Sequence, residues 1–149
     1  MHMEEHTLSS MSDSLRLSLG RYRYQQFVEK LGWQLPCPGC PGCEWDAYDH
    51  AHARYLLALN PARELIGCAR LIPTTAPNLL EGVFSHTCAE GVPASAFIWE
   101  MTRFTTSTRS WPCRCSGSAW KLRITPAPNI SSDCQQDHGA LLQKERRPL

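Results

Sequence analysis

The apolar positions of this chain fall into a few short periodic runs separated by turn-forming residues. From Arg21 to Leu31, Tyr24, Phe27, Val28 and Leu31 recur at i, i+3, i+4 and i+7, the spacing of one helix face, and Gly32 supplies a stop. Pro36 to Gly42 is too rich in Pro and Gly for regular structure and reads as a loop. Arg54–Leu59 and Leu65–Ile72 read as two strands joined through Asn60-Pro61 into a hairpin, which Pro73 and Pro77 end. Phe97–Thr105 alternates: Ile98, Glu100, Thr102 and Phe104 share one face, and Trp99, Met101 and Arg103 the other. A helix followed by antiparallel strands is an α+β pattern.

The two ends of the chain lack such periods. Residues 1–19 read as a disordered extension, with Met11 as an alternative start. Residues 110–149 hold six Leu/Ile, no Val and no Phe, a proportion too low to bury a core, so they read as a disordered or frameshifted tail. Between them, residues 20–109 form the one domain that 149 residues accommodate comfortably.

Composition narrows the function classes. A net charge of +1 gives no global field for nucleic acid or an anionic membrane. No apolar run approaches the roughly 18 residues of a membrane span, and the polar N-terminus does not resemble a signal peptide. These features point to the cytoplasm. There, eight cysteines are expected to be reduced thiols. Cys37-Pro-Gly-Cys40-Pro-Gly-Cys43 could be half of a metal site, but Cys113, Cys115 and Cys134 make poor partners for it. A Pro-Gly duplication in a surface loop is the simpler reading, and no metal is expected.

Five elements in order carry a resemblance. They are Arg23-x3-Phe27-x5-Trp33; Glu44-Trp-Asp46-Ala-Tyr-Asp49; Gly67-Cys-Ala-Arg70-Leu-Ile-Pro-Thr-Thr-Ala-Pro77; Phe84; and Trp99-Glu100-Met-Thr-Arg103-Phe104. Over residues 20–109 the chain resembles the acyl-homoserine-lactone (autoinducer) synthase family, whose members acylate the amine of S-adenosylmethionine from acyl carrier protein. The product then lactonises and methylthioadenosine leaves. The resemblance implies an α/β fold, an N-acetyltransferase-like α/β/α sandwich with a mixed, mostly antiparallel sheet, incomplete at the C-terminus. Without the C-terminal elements of that fold, the third strand is expected to lack a partner.

The resemblance also implies roles. Arg23, Phe27, Trp33, Asp46, Asp49 and Arg70 bind S-adenosylmethionine, which is a substrate and not a cofactor. Glu100 takes the amine proton through water, Arg103 orients substrate groups, and Phe84 borders the acyl pocket. The chemistry agrees with this inventory. A ligand with a sulfonium, an ammonium, a carboxylate and an adenine wants carboxylates, an arginine and aromatic faces. One tension stands within it. Glu100 and Arg103 are three apart in a strand and face opposite ways, unless a β-bulge near Met101–Thr102 intervenes. Two rival readings remain: a degenerate S-adenosylmethionine-binding remnant without catalysis, and a small metal-binding protein built on the cysteine cluster.

Overall fold

The computed structural model describes residues 1–35 and 39–107, together with the backbone of 120–121 and 140–144. Its centre is the expected hairpin. Strand β2 (Arg54–Leu59) pairs antiparallel with β3 (Leu65–Pro73). Asn60 closes the turn between them: its amide donates to Glu64 O at 2.9 Å, and its side-chain oxygen accepts from Glu64 N at 2.9 Å. Strand β4 (Ile98–Thr106) pairs antiparallel with the other edge of β3.

The chain before residue 20 departs from the expected disordered extension. His2–His6 is a strand, β1, antiparallel to β2, and helix α1 runs from Asp13 to Arg23. β1 has no apolar alternation to announce it. Backbone pairing to the edge of β2 holds it, and Glu4 ties it to Arg63 at 2.7 Å across the hairpin turn. A charged strand of this kind suits an edge. For α1 the signals are in the sequence. Ser12 caps the helix by accepting from Leu15 N at 3.2 Å, Asp13 sits in the positive first turn, and Leu15, Leu19 and Tyr22 form the inward stripe.

α1 runs directly into a wider π-helical stretch, Tyr24–Lys30, which ends where Gly32 adopts φ +70°. At its C-terminal cap Leu31 N donates to Gln26 O, a step of five residues. This widening shifts the angular phase, so the α-helical spacing fails as a guide to burial. Phe27 is buried while Leu31 is 55% exposed.

The sheet carries an apolar cluster on each face. On the helix side Leu19 and Tyr22 pack with Tyr55, Leu57, Cys68 and Ile72; on the other, Ala69 and Leu71 pack with Met101. A short helix, α2 (Leu79–Gly82), capped by Asn78, lies in the connection between β3 and β4.

The tail corrects one expectation. β4 does have a partner: Ala140–Lys144 pairs with it antiparallel as β6, and β6 pairs with the two-residue β5, Trp120–Lys121. The order is β1-β2-β3-β4-β6-β5. An open strand edge offers unpaired N–H and C=O groups to any extended segment. Residues 140–144 contain the tail's one pair of adjacent leucines. The remaining residues of 110–149, over which disorder or a frameshift was expected, lie outside the described residues. All the described pairings are antiparallel, so the parallel pair of a mixed sheet is not among them. Among the described residues, no helix is long and apolar enough to cross a membrane.

Candidate active site: three arginines against three carboxylates

The register of β3 and β4 places the first site residues. Tyr55 lies opposite Arg70, Arg70 opposite Thr102, and Ile72 opposite Glu100. Arg70 and Glu100 therefore share the face that α1 covers. Opposite Ala69 the register slips, because Cys68 pairs with Thr105 while Arg70 pairs with Thr102. The residues of the bulge are Arg103 and Phe104, and Arg103 takes φ +51°, a left-handed conformation that costs a non-glycine residue about 1–3 kcal/mol. The bulge turns the Arg103 side chain to the same face as Arg70, which removes the tension noted in the sequence.

The Glu44–Asp49 segment then packs against this face. Glu44 N donates to Gly20 O at 2.9 Å, and Asp49 N to Asp46 O at 3.1 Å. Gly20 is needed here: a Cβ on it would come within 2.6 Å of the Trp45 ring. This packing delivers three carboxylates to three guanidiniums. Arg23 bonds Glu44 through Nε and grips Asp49 with both terminal nitrogens, at 2.7 and 3.0 Å. Arg70 grips Asp46 in the same two-pronged way, reaches Asp49 at 3.0 Å, and donates from Nε to the Thr102 hydroxyl at 3.0 Å. Arg103 donates to Glu44 at 3.0 Å and to Asp46 at 2.8 Å. The formal charges cancel, which lets the cluster be buried; an unpaired charge at this depth would be prohibitive.

Within the cluster the carboxylates differ. Asp49 also accepts from the Tyr55 hydroxyl at 2.8 Å and from Asp46 N at 2.8 Å, so its oxygens are fully occupied. Burial opposes its ionisation, yet the guanidiniums of Arg23 and Arg70 prevail and hold its carboxyl well below the usual range. The Asp46 side chain is 17% exposed against 4% for Asp49, which makes it the carboxylate open to solvent.

Aromatic rings flank the ion network. Phe27 and Trp33 stack with centroids 4.9 Å apart, and the Arg103 guanidinium stands 5.6 Å from each ring. The indole of Trp45 lies 5.1 Å from the Arg23 guanidinium. Stacking of this kind suits a planar or cationic ligand as well as an arginine.

Glu100 stands outside the arginine network. It is buried, and its carboxylate accepts from Leu80 N at 3.2 Å in the first turn of α2. Burial pushes its pKa upward, and the α2 amides and Arg70 offset this only in part.

Seven of the expected residues (Arg23, Phe27, Trp33, Asp46, Asp49, Arg70 and Arg103) are thus joined directly, and Glu100 lies one register step away. Phe84 is half-buried on the loop after α2, where its amide donates to Leu79 O at 3.1 Å. It follows α2 in the chain, the helix whose Leu80 amide donates to Glu100. Sequence reasoning passed over Glu44, Tyr55 and Thr102. The missed signal was charge balance, since three buried arginines need three carboxylate partners besides a lone Glu100. A groove of about 660 Å³ between α1 and the β2–β3 turn, lined by Leu15, Tyr22 and Arg63 among others, includes none of the expected residues. Among the described residues no metal-binding cluster of His, Cys, Asp and Glu is present.

The interlocked arginine–carboxylate cluster thus lies beside a bulged strand of an α/β fold, with the stacked Phe27 and Trp33 against Arg103. The chain belongs to the autoinducer synthase family, whose model matches residues 5–119. It is 70% identical over 107 residues to the acyl-homoserine-lactone synthase of Pseudomonas chlororaphis, covering 71% of this chain and 55% of that protein. It is 38% identical over 107 residues to the synthase of Pseudomonas aeruginosa, again 71% of this chain and 53% of the relative. Among solved structures it is similar to TofI in a ternary complex with an inhibitor and MTA, with a TM-score of 0.64, 42% identity, and 71% and 57% of the two chains covered. It is also similar to BjaI, a CoA-dependent acyl-homoserine lactone synthase solved with SAM and isopentyl-CoA, with a TM-score of 0.63, 33% identity, and 70% and 50% covered. The chain thus spans about half the length of the curated relatives it matches.

Proposed function

We propose that this chain carries the S-adenosylmethionine-binding and amine-activating part of a cytoplasmic acyl-homoserine-lactone synthase, an acyltransferase that uses an acyl chain carried on acyl carrier protein. The observation that carries the reading is the separation of Glu100 from the arginine network. A carboxylate whose pKa is raised by burial beside an ion cluster is a stronger proton acceptor than an ordinary glutamate. The amine of S-adenosylmethionine must be neutral to attack the thioester carbonyl. Glu100 takes its proton through water, the nitrogen forms the amide, and the carrier thiol leaves. Attack by the methionine carboxylate on its own γ-carbon then closes the lactone and expels methylthioadenosine.

Each remaining group has a place in this scheme. Asp46, the exposed carboxylate of the cluster, meets the ammonium, while Asp49, fully occupied, fixes Arg23 and Arg70. Phe27 and Trp33 offer the stacked faces for sulfonium and adenine, with Arg103 orienting the substrate carboxylate from above them. Phe84 borders the acyl chain where α2 meets the loop. The experiment is calorimetric titration of the chain with S-adenosylmethionine, alongside an assay for methylthioadenosine release on adding acyl-acyl-carrier protein. Binding should weaken by about 1–3 kcal/mol in Trp33→Ala, the range of a lost cation–π and stacking contact. Unaltered affinity in both Trp33→Ala and Asp46→Ala would sink this placement of the substrate. Binding without methylthioadenosine release would restrict the chain to recognition alone.

A further inference from the structure

The cysteine loop lies at the surface over Gly39–Gly42 and turns inward at its last cysteine. Cys43 is 1% exposed, and its sulfur lies 3.0 Å from that of Cys40, inside the normal non-bonded contact of two sulfur atoms. The backbone explains the approach. Cys43 N donates to Cys40 O at 3.1 Å, Pro41 and Gly42 occupy the two central positions, and Gly42 takes φ +74°. Pro followed by a left-handed Gly is the signature of a type II turn, whose end Cα atoms lie within about 7 Å of each other. A disulfide spans Cα separations of about 4.4–6.8 Å, and the sulfurs need to close by roughly 1 Å to reach bonding distance.

We infer that Cys40 and Cys43 form a modification site: a dithiol that a low-molecular-weight disulfide, of the glutathione disulfide class, converts reversibly to a disulfide within the turn. The half-exposed Cys40 meets the oxidant, while Cys43 is buried behind it. The Cys40 thiolate attacks the small disulfide and releases one small thiol. The Cys43 thiolate then attacks the Cys40 sulfur of the mixed disulfide and expels the second. Two protein thiols are oxidised by two electrons, and one small disulfide is reduced to two thiols.

The position of the pair gives this chemistry a consequence. Cys43 packs under α1, where a Cβ on Gly20 would come within 3.1 Å of Cys43 Cβ. The next residue is Glu44, whose carboxylate joins Arg23 to Arg103. Oxidation therefore tightens the loop that delivers the carboxylates. Pro41 and Gly42 also line the groove beside α1, which leaves the turn open to a small oxidant.

The test uses the full chain carrying Cys37→Ser, since Cys37 lies outside the described residues and could compete for Cys40. After incubation with glutathione disulfide, peptide mass spectrometry should find the Cys40–Cys43 peptide lighter by about 2 Da, the loss of two hydrogens. Both thiols should resist alkylation and become reactive again after dithiothreitol. In Cys43→Ser the reaction should stop at a glutathione adduct on Cys40. Amide exchange over Glu44 to Asp49 should slow on oxidation. A stable adduct on Cys40 with Cys43 still alkylatable in the Cys37→Ser chain would overturn the proposal, as would pairing of Cys40 with any other cysteine. Unchanged amide exchange over Glu44 to Asp49 in the oxidised chain would overturn the link to the site.

Discussion

Two carboxylate environments share one face of the sheet, and they are built in opposite ways. In the Glu44–Asp49 segment each carboxylate meets at least two arginines, and Asp49 is held ionised far below its ordinary range despite its burial. At Glu100 burial is met by backbone amides of α2 and one neighbouring arginine, so the pKa rises instead. When the environments of nearby titratable groups drive their pKa values apart, structural and reactive roles separate with them. The first region is a closed ion network; the second, in the function proposed above, supplies the base, and it has the Leu80 amide rather than an arginine as its hydrogen-bond partner.

Breaking the frame should have the largest effect. Arg23→Met leaves Glu44 and Asp49 buried with part of their positive charge gone. Removal of one partner from a buried ion pair costs about 3–5 kcal/mol, a large share of the stability of a domain this size. Urea unfolding should show a midpoint far below wild type, or no folded baseline at all. A wild-type midpoint would mean that the cluster is peripheral to the fold. The same frame sets a pH limit. The folded pKa of Asp49 is depressed, so its contribution is present above the unfolded value of about 3.9 and is lost as pH falls through the folded one. Acid unfolding should therefore set in below about pH 4, and chiefly through Asp49.

Glu100 reverses that sign. With its folded pKa raised, ionisation at neutral pH costs stability, and Glu100→Gln keeps an oxygen acceptor for Leu80 N without that cost. The variant should melt no lower than wild type and bind S-adenosylmethionine within a few-fold. Methylthioadenosine release should fall about 10²–10⁴-fold, the usual contribution of a general base. The acid limb of the wild-type profile should lie above the ordinary glutamate value of 4.5. A drop in melting temperature combined with full turnover would exchange the roles assigned to the two regions.

The same contrast governs what the sequence could reveal. The hairpin and β4 were legible to within a residue or two, because burial on one face and turn residues at the ends write a period into the chain. The bulge at Arg103 was legible only as a conflict between two functional positions in one strand. β1 was not legible, since polar residues His2 to His6 are held by backbone pairing and carry no period. α1 was legible and overlooked: the Ser12 cap and the Leu15–Leu19–Tyr22 stripe stand in the sequence, yet they lie beyond the reach of the family motif. Within the site, motif residues surfaced and their supports did not. Tyr55 and Thr102 are ordinary strand residues until the register sets them beside Arg70.

Tyr55 offers the finest test of the comparison, and the smallest effect. Its hydroxyl donates one of several hydrogen bonds to Asp49, whose other contacts come from Arg23, Arg70 and Asp46 N. Burial, and then the neighbouring Asp49 carboxylate, raise the phenol pKa, so the group is a neutral donor at all working pH values. Tyr55→Phe removes that donor and keeps the ring in the α1-facing core. The expected loss is about 1.5–3 kcal/mol for a hydrogen bond to a charged group, reduced toward about 1 kcal/mol because the arginines remain. The depressed pKa of Asp49 should move upward, shifting the onset of acid unfolding to slightly higher pH, while turnover at neutral pH changes little. A loss of turnover larger than the loss of stability would place the Tyr55 hydroxyl among the groups that act on substrate, and Asp49 would then belong with Glu100 on the reactive side of the face.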